Sequence, residues 1–298
     1  MNGVTISGIC TTDDSDISDE IKNKHYITNN YNSLLEVSDA VYVVSHPKKH
    51  YEHVKQALHS GKHVLCESPI TLSTNEFNEL LELAKEKNLQ LMDSIKTAYS
   101  TAYNRMLVLA KGGKIGDIVS VDSICTSLSD LETKTKRGTS LDEVWNSICA
   151  WGPTAMLPIF QLLGIEFVSK QITSHLIAPQ FDTFTKIAIV YPHAVASLKV
   201  GKGVKSEGEL IISGTKGYIY VPAPWWKTDY FEIRYENPGE NKRYFYQLDG
   251  EGIRYELVSF LKAIQGGRKD YSYIDDKVSE SFVSVIEDFY TGKDFIAI

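Results

Sequence analysis

Over the first third of the chain, short apolar runs alternate with stretches whose apolar residues recur at helical spacing. Residues 4–10 read as a strand, and so do residues 39–44, a nearly all-apolar run of the kind buried on both faces of a parallel sheet. Residues 50–60 put Val54, Ala57 and Leu58 on one helical face and stop at Gly61, and 62–66 form a third strand. Ser73 with Glu76 three residues on forms a capping box. Phe77, Leu80, Leu81 and Ala84 follow at helical spacing, and a fourth strand comes at 89–92. Strands alternating with helices predict a parallel sheet with crossover connections.

From about Ile95 the texture changes. Helices are expected at 103–110 and at 154–163, the second ended by Gly164, with a strand at 118–123 between them. Strand-like runs then succeed one another at 184–190, 194–200, 209–212, 218–221, 231–235 and 244–247. The punctuation between them is Pro192-His193, Gly214-Thr215-Lys216-Gly217 and Asn237-Pro238-Gly239. Such a meander predicts an antiparallel sheet, and two helices at 255–264 and 278–289 close the chain. The expected fold class is α/β: a Rossmann-like parallel-sheet domain over residues 1–95, then an α+β domain over 96–298 with an open, mostly antiparallel sheet. No internal repeat or low-complexity segment interrupts it.

Composition narrows the function. With 298 residues, 43% of them hydrophobic, the chain has material for a sizeable core. A net charge of -7 argues against nucleic acid as partner, because phosphate binding needs a concentrated basic surface. The short run Thr133-Lys134-Thr135-Lys136-Arg137 reads as a solvated loop. The four cysteines, Cys10, Cys66, Cys125 and Cys149, lie far apart without metal-ligand spacing, so no metal site is expected and a reducing cytoplasm is. No run approaches the roughly 18 apolar residues of a membrane helix, so no membrane partner is expected either.

The span Ser38-Asp39-Ala40-Val41-Tyr42-Val43-Val44-Ser45-His46-Pro47-Lys48-Lys49-His50 is followed by Gly61-Lys62-His63-Val64-Leu65-Cys66-Glu67-Ser68-Pro69. Further on stand Lys114-Ile115-Gly116-Asp117-Ile118 and Ser213-Gly214-Thr215-Lys216-Gly217. In that order the four segments resemble the glucose–fructose oxidoreductase/inositol dehydrogenase (Gfo/Idh/MocA) family, with its "DAVYIATPxxxH", "GKHVLCEKP", "GxIGxI" and "GTKG" motifs. The resemblance implies a dinucleotide-binding domain followed by an open sheet. It also implies hydride exchange between NAD or NADP and a sugar, polyol or sugar-nucleotide, and a homodimer or larger homo-oligomer built through that sheet.

Three departures accompany the resemblance. Residues 2–10 match the family's second strand, so the first strand, its Gly-rich pyrophosphate loop and its helix are expected to be missing, and Thr11 stands where an acid would grip the ribose. Without a strand between them, the strands at 4–10 and 39–44 are expected to close up and pair directly. Ser68 occupies the lysine position of "EKP", a loss that commonly costs about 10²–10⁴ in rate when a proton-transfer group goes. In Ala150-Trp151-Gly152-Pro153-Thr154, Ala150 and Thr154 replace the carboxylate and the imidazole or phenol of "DxGxH/Y".

Other candidates remain. Ser45, His46, His50 and Glu67 match cofactor-side positions, with His50 and Glu67 also reading as structural anchors. Lys96 and Tyr99 follow the last parallel strand, where ligands of such folds gather, and are candidates for an anionic or hydroxylated ligand. Trp151, Trp225 and Trp226 suit either a sugar site or a core. Lys199, Lys202 and Lys205 read as guards of a strand edge. Three functions stay open: an NAD(P)-dependent oxidoreductase, a catalytically silent relative that binds a sugar-like ligand or a partner subunit, and a module of a longer polypeptide.

Overall fold

The computed structural model describes residues 4–129, 140–266 and 271–298. The basic run at 133–137 lies outside them. Strand β1 (Gly8–Cys10) leads through α1 (Asp19–Lys24) to β2 (Tyr26–Thr28), and the two pair in parallel as a sheet of their own. After α2 (Tyr31–Glu36), β3 (Ala40–Val43), α3 (Pro47–His59), β4 (His63–Glu67), α4 (Thr74–Glu86) and β5 (Leu91–Ser94) build a three-stranded parallel sheet in sequence order.

Two expectations need correction here. The strand drawn over 4–10 is only three residues long, and it does not close against the one at 39–44. Instead β1 pairs with β2, and β3 has no strand on its other edge among the described residues. The reason is local: a short crossover brings residues 26–28 beside β1 at a small loop-closure cost, whereas β3 lies much farther along the chain. A contact of 3.2 Å between the Ser7 and Ser38 hydroxyls joins the two sheets at their starts.

Period-two alternation gives the β3–β5 sheet two different faces. Val41, Val43, Val64, Cys66 and Leu91 point to one, where Val54, Ala57 and Leu58 of α3 and Phe77, Leu80 and Ala84 of α4 cover them. Tyr42, Leu65, Glu67, Met92 and Ser94 point to the other. Helix α3 starts earlier than expected, because His46 caps it with its ring nitrogen and Pro47 suits the first turn. The capping box at Ser73 does not form: Ser73 is the N-cap of α4 but makes no side-chain cap bond.

The rest of the chain folds around a nine-stranded sheet of order β13-β12-β11-β10-β6-β9-β8-β7-β14. Its strands are β6 (Ile118–Thr126), β7 (Ser169–Ala178), β8 (Phe181–Val190), β9 (Val195–Gly201), β10 (Leu210–Gly214), β11 (Tyr218–Val221), β12 (Tyr230–Arg234), β13 (Lys242–Phe245) and β14 (Phe295–Ala297). All neighbours are antiparallel except β6–β9 and β7–β14. Val121, Ile187, Leu198, Ile212 and Ile219 turn inward against α5 (Thr101–Lys111), α6 (Ser147–Leu163), α7 (Ile253–Gly266) and α8 (Asp276–Thr291). Helix α6 begins seven residues before its expected start at 154, because Asn146 caps it and buried Asp182 accepts from the Ile148 N–H. Strand β9 lies inside the sheet, so Lys199 guards no edge, while Lys202 and Lys205 donate to the Trp145 and Thr126 carbonyls.

The two glycine motifs of this half meet each other. The Lys216 N–H donates to the Ile115 carbonyl at 2.8 Å and the Thr215 N–H to the Asp117 carbonyl at 3.0 Å. Gly116 has φ +76, and a Cβ on Gly214 would stand 2.2 Å from the Ile115 oxygen. Both glycines are there because backbone meets backbone.

Candidate functional site

A cleft of about 200 Å³ opens at the carboxyl ends of β4 and β5. Parallel pairing sets Glu67 beside Ser94 across the strands, and both end at the cleft with Ser68, Ile95 and Lys96 behind them. The first turns of α6 bring Ala150, Trp151 and Thr154 from the opposite side, and a 3-10 turn after a third segment brings Trp226 and Lys227. Trp151 and Trp226 meet at 4.9 Å between ring centroids, and the Trp151 indole N–H donates to Ser127. Lys227 pairs with Glu251 at the rim at 2.5 Å.

Beneath the cleft lies a polar floor. The Tyr42 hydroxyl donates to Glu67 Oε1 at 3.1 Å and touches the Ser94 hydroxyl at 3.3 Å. Ser94 donates to Oε1 of Glu256, a fully buried carboxyl on α7, at 3.0 Å. Burial pushes Glu256 up to about 7, Ser94 and Lys96 pull it back, and Glu67 and Asp93 raise it further. On the other face of β5, burial pushes Asp93 up to about 6 although the Ser279 and Ser68 hydroxyls favour its charged form. Among the described residues, Ser68 Oγ, Asp93 Oδ1 and Glu256 Oε2 are buried without a hydrogen-bond partner of good geometry.

The three replaced family positions, Ser68, Ala150 and Thr154, come together in this cleft from two separate segments of the sequence. Lys96 and Trp151 line it too. Tyr99 does not: it is buried, its ring meets Tyr273 edge-on, and its hydroxyl reaches Ser272. Trp225 is likewise a core residue, donating to the Ile124 carbonyl. Thr11 closes on itself, exchanging hydrogen bonds with Asp13. Ser45 binds the ring of His53, and His46 contacts the Val144 carbonyl.

His50 is an anchor. Its ring nitrogens lie 2.8 Å from the Pro69 carbonyl and 2.7 Å from the Ser45 carbonyl, tying together the loops after β3 and β4. Burial lowers its pKa, and a neutral ring has one N–H to offer the two carbonyls. Sequence reasoning missed Trp145, Lys227, Glu251 and the floor of Tyr42, Ser94 and Glu256. Only the alternation of β3 and β5 hinted that Tyr42 and Ser94 face one way.

A dinucleotide needs a helix start whose free N–H groups hold the pyrophosphate. Helix α1 offers an acidic first turn, Asp19 and Glu20, after a loop carrying Asp13, Asp14 and Asp16. At α3, Pro47 has no N–H and the His46 ring already takes that of Lys48. The residues present therefore do not fit the pyrophosphate of NAD(P). Among the described residues, no group of three or more His, Cys, Asp or Glu is placed to hold a metal, and no helix is long and apolar enough to cross a membrane.

Residues 2–94 match the family model described as an oxidoreductase family with an NAD-binding Rossmann fold (GFO_IDH_MocA). An uncharacterized oxidoreductase of Schizosaccharomyces pombe is 40% identical over 77 residues, which is 26% of this chain and 21% of that one. Trans-1,2-dihydrobenzene-1,2-diol dehydrogenase of Oryctolagus cuniculus is 24% identical over 293 residues, covering 91% of this chain and 85% of the relative. A variant 3-ketoreductase from Actinomadura kijaniata, solved with TDP-benzene and NADP, shares the fold. Its TM-score is 0.80 at 18% identity, over 98% of this chain and 90% of that one. The first third is thus similar to the NAD-binding Rossmann fold of the Gfo/Idh/MocA oxidoreductase family, and nearly the whole chain shares the fold of the ketoreductase.

Proposed function

We propose that this chain holds a sugar-like ligand in the cleft and lacks the lysine-dependent hydride chemistry of the family it resembles. One observation carries the reading: the Trp151–Trp226 pair faces Lys96 and Glu67, while Ser68, Ala150 and Thr154 stand in the same cleft. Indole faces suit the apolar face of a sugar ring, and Lys96 and Glu67 supply opposite charges for its hydroxyls or an attached phosphate. A serine, an alanine and a threonine have no group that exchanges protons near neutral pH. The dihydrodiol dehydrogenase and ketoreductase relatives support the choice of a hydroxylated ligand, and the poor pyrophosphate fit supports weak NAD(P) binding.

Tryptophan fluorescence titrated with UDP-glucose, and with methyl glucoside for the sugar alone, tests this. Quenching that saturates, and that falls at least tenfold in affinity in Trp226→Ala, is the expected result. Turnover of a sugar panel with added NAD or NADP, in the chain or in Ser68→Lys, contradicts the second half of the reading. Exposed Lys186, Ala188 and Val190 on the outer face of the nine-stranded sheet support self-association there, and four free thiols support a cytoplasmic setting. Sedimentation at several concentrations tests the association.

A further inference from the structure

Two lysines line the cleft, and short turns bring them together. Lys96 opens the 3-10 turn after β5, and Lys227 ends the turn Trp225–Lys227. The Thr97 hydroxyl donates to the Trp226 carbonyl at 2.8 Å and fastens one turn to the other. Both lysines share the cleft with the Trp151–Trp226 pair. The Lys96 ammonium has no hydrogen bond or ion pair among the described residues, and the Lys227 ammonium has Glu251 alone.

Glu251 lines the cleft too, on an unusual backbone. Its φ is +57, between Gly250 at +56 and Gly252 at +91. Glycine enters that left-handed region freely and a residue with a Cβ does not; residues held there against preference cluster at ligand clamps. The turn is pinned at Lys96: the Gly252 N–H donates to the Asp249 carbonyl, and a Cβ on Gly252 would stand 3.5 Å from the Lys96 oxygen. The Glu251 carboxylate accepts from Lys227 at 2.5 Å, and Lys227 first, then Lys96, holds its pKa below the ordinary glutamate value. One carboxylate therefore sits in the field of both ammonium groups. With side-chain exposures of 62% and 41%, the Glu251–Lys227 pair is screened by solvent and readily exchanged.

Resting on the reading of this cleft as a sugar site, we infer that Glu251 is a displaceable stand-in for a phosphate on the ligand and sets the cleft's selectivity for phosphorylated sugars. The sugar ring lies on the Trp151 and Trp226 indoles, and its phosphate takes Lys227 and Lys96 from Glu251, which swings to solvent. No covalent bond changes. A phosphate dianion brings more charge and more acceptor oxygens than one carboxylate, so it wins the exchange. A neutral sugar leaves the Lys227–Glu251 pair closed and gains nothing from Lys96. The displaced carboxylate still repels the phosphate it admits, so Glu251 also limits how tightly that phosphate is held.

Isothermal titration calorimetry of the full chain at low salt, with glucose 1-phosphate, methyl glucoside and inorganic phosphate, tests the inference. The preference for glucose 1-phosphate over methyl glucoside should rise about five- to tenfold in Glu251→Gln. Glu251→Gly, which also removes the charge and suits the left-handed turn, should raise it as well. Lys227→Met should lower it about tenfold, and added sodium chloride should shrink it. A preference that neither Glu251→Gln nor Lys227→Met moves overturns the inference. Methyl glucoside binding as tightly as glucose 1-phosphate overturns it too and leaves the sugar reading standing. Inorganic phosphate binding more tightly in Glu251→Gln, with no binding of methyl glucoside, keeps the phosphate assignment and overturns the sugar reading. No binding of any of the three probes overturns both.

Discussion

The two faces of the β3–β5 sheet are built from the same three strands and meet opposite surroundings. One face, with Val41, Val43, Val64, Cys66 and Leu91, is sealed by α3 and α4, and buried Asp93 near the end of β5 is the polar exception on it. The other carries Tyr42, Glu67 and Ser94 into contact with Glu256 of α7 and leaves a buried carboxylate oxygen unpartnered. Buried polar groups without partners cost about 1–3 kcal/mol each, a cost that the first face meets only at Asp93 and the second meets beneath the cleft. The difference separates what holds the domain together from what the cleft uses.

The largest effect should come from the sealed face. Phe77 is fully buried between α4 and that face. Phe77→Ala should cost about 3–5 kcal/mol, the lost transfer energy plus a cavity that the packed helices cannot close. Urea unfolding followed by circular dichroism measures it. A loss below about 1 kcal/mol would mean that this face is not the stabilising one.

On the polar face the sign should reverse, in a pH-dependent way. Glu256 is raised from 4.5 to about 7 by burial first of all, so the folded state holds a proton that the unfolded chain has released. Stability is therefore fully present below about pH 4.5 and is lost as pH rises through about 7. Glu256→Gln should change little in acid and stabilise the protein on the order of 2–3 kcal/mol above neutrality. Asp93 and Asp182, each pushed up to about 6, act in the same direction at lower pH. The variant should thus keep the slope that Asp93 and Asp182 give below about pH 6 and lose the part that Glu256 gives between about pH 4.5 and 7. Unfolding midpoints at a series of pH values check the prediction, and a variant that is destabilised at alkaline pH contradicts it.

The same contrast explains what the sequence could show. The sealed face was legible because valines and a cysteine at alternate positions admit few readings, and the cleft was legible where motifs marked it. Ser68, Ala150 and Thr154 could be singled out before anything located them in one cleft. Glu256 could not, since a lone glutamate on an amphipathic helix reads as a solvated residue until the facing strand is known. Tyr99 was misplaced because position after a strand does not fix side-chain direction in a 3-10 turn. Strand β7, with Ser169, Lys170, Gln171, Thr173 and Ser174, is too polar to signal itself without its partners β8 and β14.

The smallest predicted effect concerns the cap of α4, on the sealed face. A serine at an N-cap usually contributes about 1 kcal/mol through its side-chain bond to the first turn. Ser73 makes no such bond, and its carbonyl is taken by the Thr71 hydroxyl and the Phe77 N–H. A glutamate on a distant helix serves the first turn instead: Glu287 of α8 accepts the Thr74 hydroxyl at 2.7 Å and the Thr74 N–H at 3.4 Å. A carboxylate at a helix start also meets the positive end of the helix dipole. Ser73→Ala should therefore cost less than about 0.5 kcal/mol and Glu287→Ala about 1 kcal/mol, the reverse of the order the capping-box pattern suggests. The double variant should lose no more than the sum, because the two side chains share no bond. Chemical unfolding of the three variants decides it. A Ser73→Ala loss as large as that of Glu287→Ala would return the cap to the serine and remove the tie that α8 makes across to the sealed face.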